Sequence, residues 1–393
     1  MLVIRGGRVW TGLAGQPAEV STIYIDQHLI ARVEPGASQC LSPSDTVVEA
    51  EGLTVIPGLI NCHTHLIMDG SPDPVTRLLR EGSYLTAYAA ADRAQATLRA
   101  GVTTVRDLGS LPGLDTALRQ AIADRLVEGP RLLVSGQCIC MTGGHGHFMG
   151  IEVDGGDEAR KAARTLLKQG VDVIKVMATG GVMTPGVEPG SPQLTEEELR
   201  AAIEEAHKAG RRTATHAQGT AGVMNALRAG VDSVEHGIYL DEACVDYMAE
   251  HGVYFVPTLV APYYIVSHGV AAGIPEFAVR KAEQTYEAHL ASFDLARRRG
   301  VRIAAGTDAG TPMNPHGSMV IELELMVKAG LSPEEALHSA TTVAAGCLGL
   351  EKEIGTIETG KVADLVLVEG DPLVDIGALR QVRRVVARGS LVT

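Results

Sequence analysis

Basic residues are scarce in this chain. It carries 34 Lys and Arg against 47 Asp and Glu in 393 residues, a formal net charge of −13. A nucleic-acid partner needs a basic footprint for its phosphates and a membrane-surface helix needs a basic face, so neither partner is expected. Long apolar runs are missing as well, and none reaches the roughly 18 residues of a membrane span. The opening MLVIRGGRVWTG lacks the charged, apolar and small-residue zones of a signal peptide. Six cysteines, at 40, 62, 138, 140, 244 and 347, form no Cys-x-x-Cys and no dense framework. They read as reduced, buried thiols in a cytoplasmic protein. The glycine-rich stretches TGGHGHFMG and ATGGVMTPG hold neither Gly-x-Gly-x-x-Gly nor the Lys-Ser/Thr of a phosphate loop, so nucleotide binding is set aside.

What is present has an ordinary globular balance, 45% apolar and 21% charged, in a chain long enough for one large domain and a smaller one. Residues 1–56 read as short strands broken by Gly, Pro and Ser, and the last stretch repeats that texture in ADLVLVEGD and VRRVVARGSLV. Neither end is large enough to fold well alone. Residues 1–56 and 359–393 are therefore expected to form one composite β-sandwich domain. Across 57–358 short apolar strands alternate with helical stretches: LINCHTHL, TTVRDLG, RLLVSGQC, VDVIKVMAT, RTATHAQ, SVEHGI, YFVPTL and RIAAGTD. Eight such units predict an α/β fold, a closed (β/α)8 TIM-type barrel. Between two of the strands, TEEELRAAIEEAHKAG carries a capping-box start at Thr195 with Glu198 and a stop at Gly210.

In such barrels the chemistry sits at the C-terminal ends of the strands. Those ends carry His63 and His65 (strand one), Lys175 (four), His216 (five), His236 (six) and Asp308 (eight). His63 and His65 are two apart, so on a strand they share a face. Paired imidazoles gain little from packing alone, and a shared metal ion explains them. Beside a cation, the pKa of the Lys175 ammonium should fall. A neutral amine reacts with CO2 to give a carbamate, whose two oxygens could bridge two ions. His63, His65 and Asp308 would then surround one ion, and His216 and His236 the other.

PGLINCHTHL, DVIKVMATGG, TATHAQG, SVEHG and AAGTDAG, in this order, resemble the amidohydrolase superfamily. TGGHGH and GTDAGTPMNPHG narrow the likeness to its imidazolonepropionase-like and Xaa-Pro dipeptidase-like branch. The resemblance implies a binuclear centre, usually zinc, with a bridging hydroxide and Lys175 carboxylated by CO2. Its metal ligands would be His63, His65, Lys175, His216, His236 and Asp308. It also implies hydrolysis of an amide-type bond in a small substrate such as a dipeptide or N-acyl amino acid. Asp308 would act as proton shuttle, and His145 would bind the substrate carbonyl or the developing oxyanion. A homo-oligomer is common in the family.

Related deaminases place Glu shortly after the strand-five histidine, where this chain has Ala217, Gln218 and Gly219; the dipeptidase-like branch often has His where Gln218 stands. Tyr239 is a candidate donor to a substrate carboxylate, with packing as the alternative, and His316 is a candidate for the pocket wall. Arg106-Asp107 reads either as an orienter of metal ligands or as a structural ion pair. His147 reads as a loop residue, His289 as a surface position on its helix, and the methionines as core filling. The same site would serve a cyclic amide or imidazolone, a carbamate or an ester. A non-catalytic scaffold is the other class, and retention of all six ligands speaks against it.

Overall fold

The protein is described by a computed structural model covering residues 1–38 and 41–392. Cys40 lies outside the described residues, while the other five cysteines are buried free thiols. No described helix is long and apolar enough to cross a membrane.

Strands from both ends of the chain share one eight-stranded sheet. Leu53–Pro57 runs parallel to Leu2–Val9 on one side and antiparallel to Leu365–Glu369 on the other. Leu2–Val9 pairs along its first half with Thr46–Glu49 and along its second half with Leu53–Pro57, with a register break between Ile4 and Gly7. Side chains from the neighbouring segments close over the strand there, at a glycine. A Cβ on Gly7 would lie 2.7 Å from Val55 Cγ2 and 2.9 Å from Ala50 Cβ. Ile4, Ile23 and Ile25 from the first segment pack with Leu365, Leu367 and Val386 from the last. Each such side chain contributes about 1.5–3 kcal/mol when fully buried, and the two terminal segments share one core.

The barrel strands follow in the expected order: Leu59–Thr64, Val102–Asp107, Arg131–Val134 continued as Cys138–Cys140, Val173–Met177, Arg212–Ala217, Ser233–His236, Tyr254–Val256 and residues 302–309. The paired strands run parallel, and all five residues of Val173–Met177 are buried, as in a sheet covered on both faces. Residues 302–309 close the ring between the seventh strand and the first. They do so through isolated bridges, Ile303 to Phe255 and Ala309 to Thr64, and not through a continuous ladder. The amides of Thr307 and Asp308 both reach the His63 carbonyl, at 3.2 and 2.8 Å. Gly306 permits that approach, since a Cβ there would stand 2.9 Å from His63 Cβ. The helix Glu196–Lys208 begins with the full Thr195–Glu198 capping box.

Candidate metal centre

The six side chains named from the strand ends line one cavity together with His145. Neighbouring ring centroids lie 5.3 Å apart for His63 and His65, 5.0 Å for His63 and His236, and 4.6 Å for His216 and His236. His63 Nε2 and His65 Nε2 stand 3.3 and 3.2 Å from Asp308 Oδ1. One ligand atom from each of these three residues falls within 4.8 Å of the others.

Each of the four rings has one nitrogen occupied by the protein. His63 Nδ1 donates to Glu235 Oε2 at 2.7 Å, and His65 Nδ1 donates to the Gly109 carbonyl at 3.4 Å. His216 Nε2 donates to the Gly180 carbonyl at 3.0 Å, and His236 Nδ1 meets Thr258 Oγ1 at 2.8 Å. Carboxylates and carbonyls only accept, so the proton on the outer nitrogen is fixed in three of the four rings, and a ring in its neutral form then offers the lone pair of its second nitrogen. Fixing the outer nitrogen in this way is how proteins prepare histidine for a metal. Burial lowers the pKa of His65 and pushes those of His216 and His236 well below the usual range, which keeps the rings neutral.

Lys175 Nζ has no hydrogen-bond partner in the protein and the residue is 1% exposed. Burial pushes its pKa down to about 8 against the opposing pull of Glu235 and Asp308. Burial disfavours the Asp308 anion too, yet His63 and His65 hold its carboxyl well below the usual range. An unpaired buried amine, an ionised aspartate and four preset imidazoles fit a divalent-metal centre.

The strand-end reading passed over Glu235. Glu235 is fully buried; its Oε1 accepts from Arg106 Nη2 at 2.9 Å and Ser233 Oγ at 2.7 Å, and its Oε2 holds His63. Arg106 therefore reaches His63, a candidate ligand, through Glu235 and not through an ion pair with Asp107, whose Oδ1 caps the Leu66 amide instead. The signal was in the sequence, as a lone carboxylate inside SVEHG next to a strand-end histidine.

Residues 54–392 match the sequence pattern of the amidohydrolase family. The chain belongs to that family. Ochratoxinase from Aspergillus niger is 30% identical over 409 aligned positions, 94% of this chain and 82% of the relative. A crystal structure of a Xaa-Pro dipeptidase with methionine bound in its active site matches with a TM-score of 0.93 at 32% identity over 99% of both chains. Imidazolonepropionase from Pseudomonas putida (strain GB-1) is 27% identical over 385 positions, 88% of this chain and 87% of that one. The family identified from the motifs is the family found, and its members' chemistry makes this chain a metal-dependent hydrolase acting on C–N bonds.

The second rank of predicted residues separates within this amidohydrolase site. His145 is buried in the cavity wall, its Nδ1 2.9 Å from Thr184 Oγ1 and its ring 4.2 Å from that of His216. Gly181 makes room for it, since a Cβ there would lie 2.5 Å from the imidazole. Burial pushes the His145 pKa down to about 3. Tyr239 and His316 do not line the cavity. The Tyr239 amide binds the Gln218 carbonyl at 2.8 Å, and His316 Nε2 donates to the Met68 carbonyl at 2.8 Å. His147 is exposed and bonds locally to Gly144.

The surface reading of His289 is overturned: it is 1% exposed and faces the cavity. The helix Glu276–Arg298 buries Ala278, Ala282, Thr285, His289, Phe293 and Ala296, an i+3/i+4 stripe in which the histidine lies in phase. The methionines are not only core filling either, since Met68, Met149, Met177 and Met183 form much of the cavity wall.

Proposed function

We propose that this amidohydrolase cleaves a peptide-like C–N bond in a small substrate of the dipeptide or N-acyl amino acid kind. The observation that carries the proposal is the set of four preset histidines around an unpaired buried lysine and an ionised aspartate. The cavity is walled largely by apolar side chains with a few convergent polar groups, as small-molecule sites are. His63, His65 and Asp308 would hold one ion, His216 and His236 a second, and a carboxylated Lys175 would join them, with zinc the expected metal. When bound, the ions supply a Lewis acid for the scissile carbonyl and a water ionised near neutral pH.

The chain's own residues do the rest. Asp308 is anionic at neutrality and stands where it can accept the proton of the attacking water and return it to the leaving nitrogen. Thr184 Oγ1 accepts from the Gly146 amide at 3.4 Å and stands 2.9 Å from His145 Nδ1, to which its hydroxyl can donate. His145 Nε2 then carries the proton and serves as a neutral donor to the developing oxyanion. The apolar wall excludes water around both groups.

The test is hydrolysis of a dipeptide and N-acyl amino acid library by zinc-loaded protein, with the metal counted by elemental analysis. Two ions per chain and amine release from members of the library are expected. A fully metallated protein that cleaves no amide would overturn the proposal.

A further inference from the structure

Two buried polar groups in the cavity wall remain unmatched by the metal centre. Both ring nitrogens of His289 lack a hydrogen-bond partner within the protein, as does Gln218 Oε1. The carbonyls of Pro257 and His236 stand near the His289 ring but do not reach hydrogen-bond geometry with it. The residues are 1% and 5% exposed. An unmatched buried polar group costs about 1–3 kcal/mol, so in a working site the partner is expected from the ligand. The wall around them is apolar, with Phe148, Val182, Ile238, Pro262 and Ile265 beside the four methionines.

The wall also lacks a fixed cation. Among the described lining residues Lys175 is the one lysine and there is no arginine, and Lys175 belongs to the metal centre. The nearby Lys281 is buried and spent on the carbonyls of Gly181, Thr184 and Val187. A carboxylate placed against this wall would lose its water with no ion pair in return. A neutral amide suits the two unmatched groups. Its carbonyl accepts from the His289 ring N–H, and its N–H donates to Gln218 Oε1.

We infer that the substrate is an uncharged, largely apolar amide carrying a second, non-reacting amide group, and that His289 is the specificity residue that reads this group. The inference rests on the hydrolase reading above and narrows it, from free amino acid conjugates to those whose carboxyl group is blocked.

Three probes with one apolar body test it: N-acetyl-L-methioninamide, N-acetyl-L-methionine, and N-acetyl-3-(methylthio)propylamine, which lacks the group in question. Equilibrium binding and steady-state kinetics are measured on zinc-loaded wild type, His289→Leu and His289→Gln. Any carboxylate contact with the metal contributes equally to all three proteins, so changes between proteins isolate His289. His289→Leu is expected to weaken methioninamide binding about 10- to 50-fold, the effect of one lost hydrogen bond and its unmatched partner. The other two probes should stay within about threefold. The loss should fall on KM more than on kcat, and His289→Gln, which keeps a donor and an acceptor, should restore most of it. Equal loss for all three probes, dependence confined to the free acid, or no binding of methioninamide would each overturn the inference. If the binding pattern holds and no probe is cleaved, the hydrolase reading falls and the substrate assignment with it, leaving only the His289 contact to the amide group. Cleavage without the pattern has the opposite meaning.

Discussion

Glu235→Gln exchanges a carboxylate oxygen for an amide nitrogen at the centre of the Arg106–Glu235–His63 chain. The glutamine carbonyl can still accept from Arg106 and Ser233, which lie 2.9 and 2.7 Å from Oε1 in the wild type. Its NH2 group must then face His63 Nδ1, where the carboxylate accepts a proton at 2.7 Å. Two donors cannot share that line. Either the hydrogen bond is lost, or the His63 proton moves to Nε2 and removes the lone pair aimed toward Asp308. The first outcome forfeits a charge-assisted bond of about 1.5–3 kcal/mol. The buried Arg106 also loses its counter-charge, at less than the roughly 3–5 kcal/mol of deleting a partner, because one acceptor remains. A destabilisation of about 2–4 kcal/mol follows, with zinc affinity down about 10- to 100-fold through the disturbed ligand.

Denaturant unfolding of metal-free protein measures the first quantity, and competition with a chromophoric chelator the second. The pH dependence has a fixed sign. Arg106 and His63 hold the Glu235 carboxyl far below its usual range despite its burial. Its contribution is therefore complete above the ordinary glutamate pKa and is lost as pH falls below about 4. The gap between wild type and variant should narrow on acidification. A variant within about 0.5 kcal/mol of wild type at neutral pH, with unchanged zinc affinity, would refute the positioning role.

Lys175→Ala should lose metal and activity, and short carboxylates should restore part of both by supplying the missing oxygen donors; activity that is insensitive to bicarbonate depletion in wild type would count against the carbamate. Asp308→Asn should lower kcat about 10²- to 10⁴-fold and His145→Ala about 10²- to 10³-fold, compared as pH profiles at equal metal content. Near-normal turnover in Asp308→Asn with none in His145→Ala would move the proton shuttle to His145. Lys281→Met removes the cation that ties the carbonyls of Gly181, Thr184 and Val187, so proteolysis in that loop should quicken and KM should rise; identical cleavage rates would show that the loop does not depend on it.

The barrel and the side chains that meet at its mouth were legible because they stand at strand ends, where an apolar run stops at a histidine or an acid. LINCHTHL and AAGTDAG needed no tertiary knowledge. Glu235 was harder to see because it adjoins His236, and strand alternation assigns neighbours to opposite faces. Only one of the two was expected at the site. His289 was missed for a different reason: its helix is rich in charge, and the charges drew attention from the narrow stripe of Ala, Thr and Phe that fixes which face is buried. Whether Tyr239 and His316 would line the cavity depended on loop paths, which alternation and helical period leave open.

The paradox of two adjacent residues serving one site resolves in the backbone. His236 and Asp308 both take left-handed conformations, with φ of 70° and 54°. For non-glycine residues this region is strained by about 1–3 kcal/mol, so the surrounding contacts must hold it. After His236 comes Gly237, itself left-handed at φ 54°, whose amide reaches the Ala217 carbonyl at 3.1 Å. Around Asp308, Asn314 Nδ2 donates to the carbonyls of Thr307 and Asp308 at 2.8 and 3.0 Å, and Thr311 Oγ1 donates to Asp308 at 2.7 Å. Asn61 joins the first strand to the eighth, accepting from the amides of His63 and Thr307 at 3.1 Å each. The chain thus leaves strand geometry at two of the side chains that line the cavity. His236 lines the cavity while Glu235 stays within the barrel to hold His63, and the candidate ligands are placed by these turns as much as by the pleat of the sheet.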